Sequence, residues 1–388
     1  MTAKRAGLLP GLFAAAAGLW WAGSNLERFA NRVRPEPLPA VSAAAQALHQ
    51  DALVIDLHCD TLLLNRDLLR RSAVGHIDLP RLQAGNVALQ IFAAATRIPL
   101  GFNPTHTDER RPDVLALAYL LQRSPLAWQS PLQRALHHAA ALHRFATRSA
   151  GQLRVLHHQG ELADFLAQRA RQPGLVGGLL GIEGTQALDG DPANVLALFA
   201  AGYRILGFSH FQDTPFAGSA HGRHKGGLSP KGRDLLARAA ALPMLLDLAH
   251  LSPAGIDDVL TLTDQPLLAS HGGVQATCPG PRNLSDDQIR AIAATGGVIG
   301  IGYWDTAVCG RHPRHIVAAL AHVVSLVGDD HAALGSDFDG GITAAFDTSQ
   351  LAVLTQQMLA AGFPEATIRK ILGGNALRLL RHTLPPAP

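Results

Sequence analysis

Val54-Ile55-Asp56-Leu57-His58-Cys59-Asp60-Thr61 is an apolar, β-branched run that closes on a His-x-Asp pair. In a strand, residues two apart point to the same side. His58 and Asp60 are therefore expected to aim at one point just past the strand's end. A neutral imidazole and a carboxylate converging there suit a divalent transition metal. Cys59, between them, is expected to point away. A lone His-x-Asp also suits a helix cap or a solvated strand end, so the decision falls to the other strands.

Five further apolar runs end in the same way. The run 174–184 ends on Glu183, 203–210 on His210, 243–250 on His250, 266–272 on His271, and 331–340 on Asp337 and Asp339. Each stops at His, Glu or Asp and then turns through Gly, Ser or Pro. Parallel strands place such ends on one face, where a (β/α)8 barrel builds its active site.

Taken in order, the chain opens with Lys4 and Arg5 before a nearly uncharged stretch, 6–23. That stretch resembles a secretory signal and is also long enough to span a membrane. Trp20 and Trp21 suit an interfacial anchor, and Ala22-Gly23-Ser24 offers small residues for cleavage. Residues 1–23 are read as a signal peptide or an N-terminal membrane anchor, hence export to the periplasmic or extracellular side. Residues 24–50 read as a linker and a short helix, with Pro35-Glu36-Pro37-Leu38-Pro39 breaking any longer one. Residues 51–382 read as one α/β catalytic domain.

Eight strands are expected there, at 54–60, 88–95, 174–184, 203–210, 243–250, 266–272, 297–304 and 331–338. Helical runs such as 194–201, 228–241 and 286–294 separate them, which argues for parallel β. Eight such units predict a closed (β/α)8 TIM barrel. The gap 96–173 is too long for one helix and predicts an inserted helical segment after strand two. Residues 349–380 read as two amphipathic helices parted by Gly362-Phe363-Pro364, and 384–388 as a Pro-rich tail.

The 388 residues are 47% hydrophobic and 16% charged, enough for a large core, and the formal charge is only +3. With no basic run beside aromatics, a nucleic-acid surface is not indicated. No Gly-x-Gly-x-x-Gly nucleotide fingerprint occurs. The cysteines are Cys59, Cys278 and Cys309, without a Cys-x-x-Cys, which excludes a zinc ribbon. Nineteen histidines weaken an argument from any single one. His137, His138, His143, His157 and His158 lie in Ala/Leu/Arg-rich helical sequence and read as surface residues. His221 and His224, in a Gly-rich loop, read as solvated.

His58, Asp60, Glu183, His250 and His271 make five donors. A single catalytic zinc takes about three, so five fit two ions if Glu183 bridges them. His58, Asp60 and Glu183 would hold one, and Glu183, His250 and His271 the other. A hydroxide shared by the two would attack a carbonyl or phosphoryl centre. His210 is surplus to the ligand count and suits a hydrogen bond to the developing oxyanion. Asp337 suits proton transfer from the attacking water to a leaving amine. Arg282, in Pro279-Gly280-Pro281-Arg282-Asn283, suits a substrate carboxylate. The plainer readings are a loop salt bridge for Arg282 and core hydrogen bonds for His210 and Asp337. Asp339 reads as a brace for the turn.

The set VIDLHCD, GIEG, LGFSH, LDLAHLS, SHGG with PRNLSDDQ, and GSDFDG resembles the membrane dipeptidases, renal dipeptidase-like enzymes of peptidase family M19. The resemblance covers about residues 50–380. It implies a (β/α)8 barrel with two zinc ions, hydrolysing dipeptides and tolerating a D residue at the C-terminal position. It carries the metal ligands onto His58, Asp60, Glu183, His250 and His271, substrate binding onto His210 and Arg282, and the catalytic Asp onto Asp337. Cys278 and Cys309 follow adjacent strands on one face. Mammalian members bridge a similarly spaced pair, so a disulfide is expected against the alternative of two unrelated buried thiols.

The chain departs from the mammalian pattern after His210, where the loop is richer in Gly, and at Gly302-Tyr303-Trp304-Asp305. It ends in Pro-Pro-Ala-Pro with no apolar tail. These departures bear on side-chain preference. The rival reading is another binuclear amidohydrolase, such as a lactonase or a β-lactam or amide hydrolase. Many of those carry His-x-His on the first strand, and some use a bridging modified Lys. Lys4, Lys225, Lys231 and Lys370 are the chain's lysines, and none ends a strand. A metal-stabilised binding protein would need neither Asp337 nor His210 beside a full ligand set. The partners expected are a dipeptide, a membrane through the N-terminal segment, and a second copy in a homodimer.

Overall fold

The computed structural model describes Arg28 and residues 30–122 and 127–387. The predicted signal or anchor at 1–23 lies outside the described residues. Among the described residues no helix is long and apolar enough to cross a membrane.

Eight parallel strands close a barrel: β1 Val54–Cys59, β2 Val87–Ala95, β3 Val176–Glu183, β4 Tyr203–Gly207, β5 Leu245–Asp247, β6 Leu268–Ala269, β7 Val298–Ile301 and β8 Ala332–Leu334. Each pairs with its neighbours in sequence; β8 returns to β1, and β2 pairs with β3 from Leu89↔Gly177 to Ala95↔Glu183. All eight predicted strands are present, but most stop earlier than expected. β4 ends at Gly207, β5 at Asp247, β6 at Ala269 and β8 at Leu334, two or three residues short of His210, His250, His271 and Asp337.

Every strand residue is buried, because the barrel has two apolar faces. Ile55, Leu57, Leu89, Ile91, Leu179, Ile205, Leu245 and Val298 belong to the inner core. The C-terminal helix Asn375–Thr383 packs there too, through Ala376, Leu379 and Leu380. A larger core lies between strands and helices and includes Val54, Cys59 and Phe92. Cys59 therefore faces away from the site, as expected.

Helix starts are written locally. Ser229-Pro230, Ser252-Pro253 and Ser130-Pro131 each place a capping hydroxyl before a first-turn Pro. Ser285 and Gln288 form a capping box. The predicted insertion after strand two contains helices Val114–Gln122, Pro131–Arg148 and Gln159–Arg169. It also holds Leu153–Val155, a short strand the sequence reading did not include, which pairs with Val176–Gly178 below the point where β4 joins β3.

Two further expectations change, and the two C-terminal helices parted at Gly362-Phe363-Pro364 are present as expected. His138 is buried against Tyr119, and His158 caps the helix Gln159–Arg169 by accepting from the Glu161 N–H. Neither is a plain surface residue. The second C-terminal helix runs on from Glu365–Arg369 through a π-turn, Lys370–Gly374, to Thr383. Where it is described, from residue 30 on, the predicted linker runs as a strap before the predicted short helix, Ala43–Asp51. Arg32–Val33 pairs with Thr343–Ala344, and Asn31 Oδ1 accepts from Gly341 N at 2.7 Å.

Asp339 braces the turn after β8. Its carboxylate accepts from Arg66 Nη2 at 2.5 Å, Thr61 Oγ1 at 2.7 Å and the His76 N–H at 2.7 Å. Burial pushes its carboxyl up, but the hydrogen bonds from His76 and the Arg66 charge outweigh it and hold it well below the usual range. A depressed folded value means stability present above the unfolded carboxyl's value of about 4 and lost as pH falls below it. Asp339→Asn is expected to cost about 3–5 kcal/mol at neutral pH, because it removes the buried charge that holds Arg66, Thr61 and the His76 N–H together. Urea unfolding at pH 7 and near pH 3 checks this; the gap between variant and parent should narrow as pH falls below about 4.

Cys278 and Cys309 are disulfide-bonded, with Cα atoms 5.3 Å apart and a sequence separation of 31. Closing a loop of that size contributes about 3–4 kcal/mol in the chain-entropy model. The double Ser variant should therefore melt earlier, and reductant should lower the parent's melting point but not the variant's. Equal melting of parent and variant without reductant would show that the bond is absent in solution.

Candidate metal centre and active site

The site is assembled past the C-terminal ends of the barrel strands. His58 lies on β1, where Asp56 faces Gln90 but Cys59 faces Phe92, so β1 carries one extra residue. This bulge re-aims His58, and simple two-residue alternation does not describe it. Asp60 follows the strand with φ −103°, ψ 18°. His250 and Asp337 sit at φ 62° and 59°, a left-handed backbone that ordinary side chains avoid. The strands thus end early because the functional residues occupy the turns.

Glu183, the last residue of β3, is the hub. Its Oε1 lies 2.9 Å from His250 Nε2, 3.4 Å from His271 Nε2 and 3.5 Å from His58 Nε2. Its Oε2 lies 3.5 Å from His210 Nε2. Asp60 Oδ2 stands 3.5 Å and Asp337 Oδ1 4.0 Å from His58 Nε2. Two donor groups result, His58–Asp60–Glu183 and Glu183–His250–His271, each with its ligand atoms within 4.8 Å of one another and sharing Glu183. Gly340 allows this crowding: a Cβ there would sit 2.2 Å from Asp337 Oδ1 and 2.7 Å from Asp60 Oδ2.

The buried polar atoms fit a cation. Among the described residues nothing hydrogen-bonds His58 Nε2, Asp60 Oδ1 or Glu183 Oε2. Buried polar atoms are seldom left so, and these three converge. Burial pushes the Glu183 and Asp337 carboxyls well above the usual range, and the Asp60 charge adds to both. Burial pushes His210, His250 and His271 well below the usual imidazole range, with the Arg282 charge adding to it. Burial opposes a charge on His58, but the Glu183, Asp60 and Asp337 carboxylates outweigh it and push that imidazole up to about 10. A divalent cation beside neutral His250 and His271 would take the place of that proton among the crowded carboxylates.

All the sequence-predicted site residues meet here. His210 and Arg282 flank the donors. Arg282 Nη2 donates to the His271 carbonyl at 2.7 Å, and a Cβ on Gly272 would sit 3.1 Å from its Nη1. Its charge faces Asp247, Asp337 and Glu183. Aromatic rings line two flanks, Phe211 stacked 3.7 Å from His210 with Phe102 4.1 Å beyond, and Trp304 6.0 Å from His271.

Sequence reasoning missed several supporting residues. Ser270 Oγ lies 2.8 Å from His271 Nδ1. Asp56 accepts from Ser336 N at 2.8 Å and ties β1 to β8 beneath His58. Asp247 accepts from Ala249 N and Ser270 N, and lies with His58 and His271 in a third donor group. His221 is buried, not solvated, and faces His250; His224 is exposed as expected. Asp56, two residues before His58, and Ser270, next to His271, lay within reach of a local reading; His221 did not, because its partner His250 lies 29 residues on.

The family model for membrane dipeptidase (peptidase family M19) matches residues 42–384. The chain belongs to the membrane dipeptidase family.

Its relatives agree. Dipeptidase aclJ of Aspergillus oryzae is 28% identical over 318 residues, covering 79% of this chain and 69% of that protein. An uncharacterized protein in the pqqA 5' region of Klebsiella pneumoniae is 31% identical over 259 residues, 63% of this chain and 93% of that protein. The solved structure of dipeptidase AC, an M19 metallopeptidase, superposes with TM-score 0.70 at 28% identity, over 86% of this chain and 99% of its own. A metallopeptidase from Rhodobacter sphaeroides, liganded with a phosphinate mimic of the dipeptide L-Ala-D-Ala, gives TM-score 0.70 at 27% identity, over 86% and 100%. This membrane dipeptidase family member is thus a metallo-dipeptidase on a TIM-type barrel.

Proposed function

We propose that the chain hydrolyses the peptide bond of dipeptides with two zinc ions, and that it accepts a D residue at the C-terminal position. The observation that carries this is the pair of donor groups sharing Glu183. His58, Asp60 and Glu183 would hold one ion, and Glu183, His250 and His271 the other. When bound, the two cations supply Lewis acidity to the scissile carbonyl and to the attacking water.

The chain's own residues do the rest. Asp337 faces the donor cluster, where it takes the water's proton and passes it to the leaving amine. His210, held neutral by burial, donates a hydrogen bond to the carbonyl oxygen as charge develops there. Arg282 presents its planar fork to the substrate carboxylate. The mimic of L-Ala-D-Ala bound by the Rhodobacter relative supports the D configuration.

A panel of dipeptides with L and D C-terminal residues tests this, assayed after chelation and again after adding zinc. No zinc-restored cleavage of any dipeptide would reject the reading. Cleavage of lactones or β-lactams in place of every dipeptide would favour the amidohydrolase alternative. Arg282→Ala is expected to raise KM for free dipeptides by about 10–100-fold, the loss of a charged hydrogen-bonded contact of about 1.5–3 kcal/mol. It should barely change cleavage of C-terminally amidated dipeptides. If the parent cleaves both forms equally well, Arg282 does not bind that carboxylate.

We further read residues 1–23 as an export signal or membrane anchor and residues 51–382 as the catalytic domain. The Cys278–Cys309 bond is consistent with an oxidising compartment. Recovery of the protein in the cytosol after cell fractionation would refute export. A homodimer remains our expectation for assembly, and a monomer by sedimentation would overturn it.

A further inference from the structure

His221 belongs to the Gly-rich loop after β4, yet it is only 6% exposed. Its Nε2 stands 3.1 Å from His250 Nδ1, and its Nδ1 stands 2.7 Å from the Pro104 carbonyl oxygen. These two contacts fix where the protons lie. A carbonyl only accepts, so Nδ1 of His221 carries the N–H. In a neutral imidazole the other nitrogen, Nε2, is then an acceptor. It faces His250 Nδ1, which must therefore be the donor. His250 is left with its lone pair on Nε2, the nitrogen that lies 2.9 Å from both Glu183 Oε1 and His271 Nε2.

The loop is pinned on both sides. Thr107 N donates to the His221 carbonyl at 2.8 Å, and Ala220 N donates to the His250 carbonyl at 2.8 Å. His221 N donates to Ser219 Oγ at 3.1 Å. The Phe102 and Phe211 rings lie 5.3 and 5.6 Å from the imidazole. Water is thereby kept from competing for His250 Nδ1.

We propose that His221 is a positioning residue: with the Pro104 carbonyl it fixes His250 in the tautomer and orientation that offer Nε2 to a metal ion. The relay ties the segment after β2, which carries Pro104, to the metal centre across 146 residues of sequence, from position 104 to position 250. It rests on His250 being a metal ligand. Ser270 gives His271 an equivalent hydrogen bond, 2.8 Å from its Nδ1. Groups that orient a ligating imidazole in this way typically set 10–100-fold in metal affinity.

The test is zinc affinity of the full chain, stripped of metal and titrated against a chelating dye. His221→Leu removes the acceptor and is expected to weaken one of the two ions by about 10–100-fold. His221→Gln keeps an acceptor oxygen near the position of Nε2 and is expected to restore most of that loss. The melting points of the two metal-free variants should agree, which separates lost orientation from lost folding. Equal weakening in Leu and Gln variants would reduce His221 to packing and overturn the proposal. So would parent-like affinity in His221→Leu. His250→Ala is the control: if it keeps both ions at parent affinity, the ligand reading itself fails. Should the variants not fold, ¹⁵N-histidine NMR of the zinc-loaded parent decides, with protons expected on Nδ1 of both His221 and His250. A proton on Nε2 of His221 would overturn the relay.

Discussion

Glu183→Gln is expected to abolish dipeptide hydrolysis and to strip metal at the same time. The carboxylate reaches four imidazoles, with Oε1 toward His58, His250 and His271 and Oε2 toward His210. An amide offers one neutral oxygen and a nitrogen that is no ligand, so it bridges two cations poorly. The Gln side chain also lacks the charge that offsets them. Losing about 4 kcal/mol of Lewis-acid stabilisation corresponds to a fall of about 10³-fold in turnover. Elemental analysis should find one ion or none in the purified variant, against the two expected in the parent. Two ions retained in the variant, or one ion at full activity in the parent, would remove the bridging role.

Asp337→Asn is expected to separate activity from metal. Asp337 faces the cluster but stands farther from His58 Nε2, at 4.0 Å, than Asp60 and Glu183 do, each at 3.5 Å. Asn keeps the size and the left-handed turn, which it tolerates well. It cannot accept and return a proton. Turnover should therefore fall by about 10²–10⁴-fold with metal content unchanged. KM should move little, because the lost interaction belongs to the transition state. A variant that loses metal along with activity would make Asp337 a ligand instead.

The barrel was legible because its signal is local. Apolar runs such as 54–60 and 88–95, parted by helical stretches, need only neighbouring residues to be recognised. The repeated ending on His, Glu or Asp then drew His58, Asp60, Glu183, His210, His250, His271 and Asp337 to one face, where the structure places them together. The disulfide was an expectation that joined two loops leaving adjacent strands to the family resemblance, against two unrelated thiols, and the structure has the bond. What the pattern hid is how the ends are made. The bulge in β1 and the left-handed turns at His250 and Asp337 shorten the strands by a few residues and re-aim the side chains.

His221 and His224 show the limit most clearly. They lie three residues apart in one Gly-rich loop, and nothing in that loop separates them. One is buried against His250 and the other is exposed. Likewise Asp337 and Asp339 share one motif and the same left-handed backbone. Asp339 turns to Arg66, Thr61 and His76, while Asp337 turns to the donor cluster. The sequence by itself showed the barrel, through periodicity carried by residues adjacent in the chain, and named the candidate donors at the strand ends; the family came from the likeness of its motifs. Only the tertiary structure decided which histidine supports another and which aspartate is a brace. Those choices depend on partners such as the Pro104 carbonyl, the Arg66 guanidinium and the Glu183 carboxylate, brought within hydrogen-bond or ligand distance by barrel closure from positions far away in the chain.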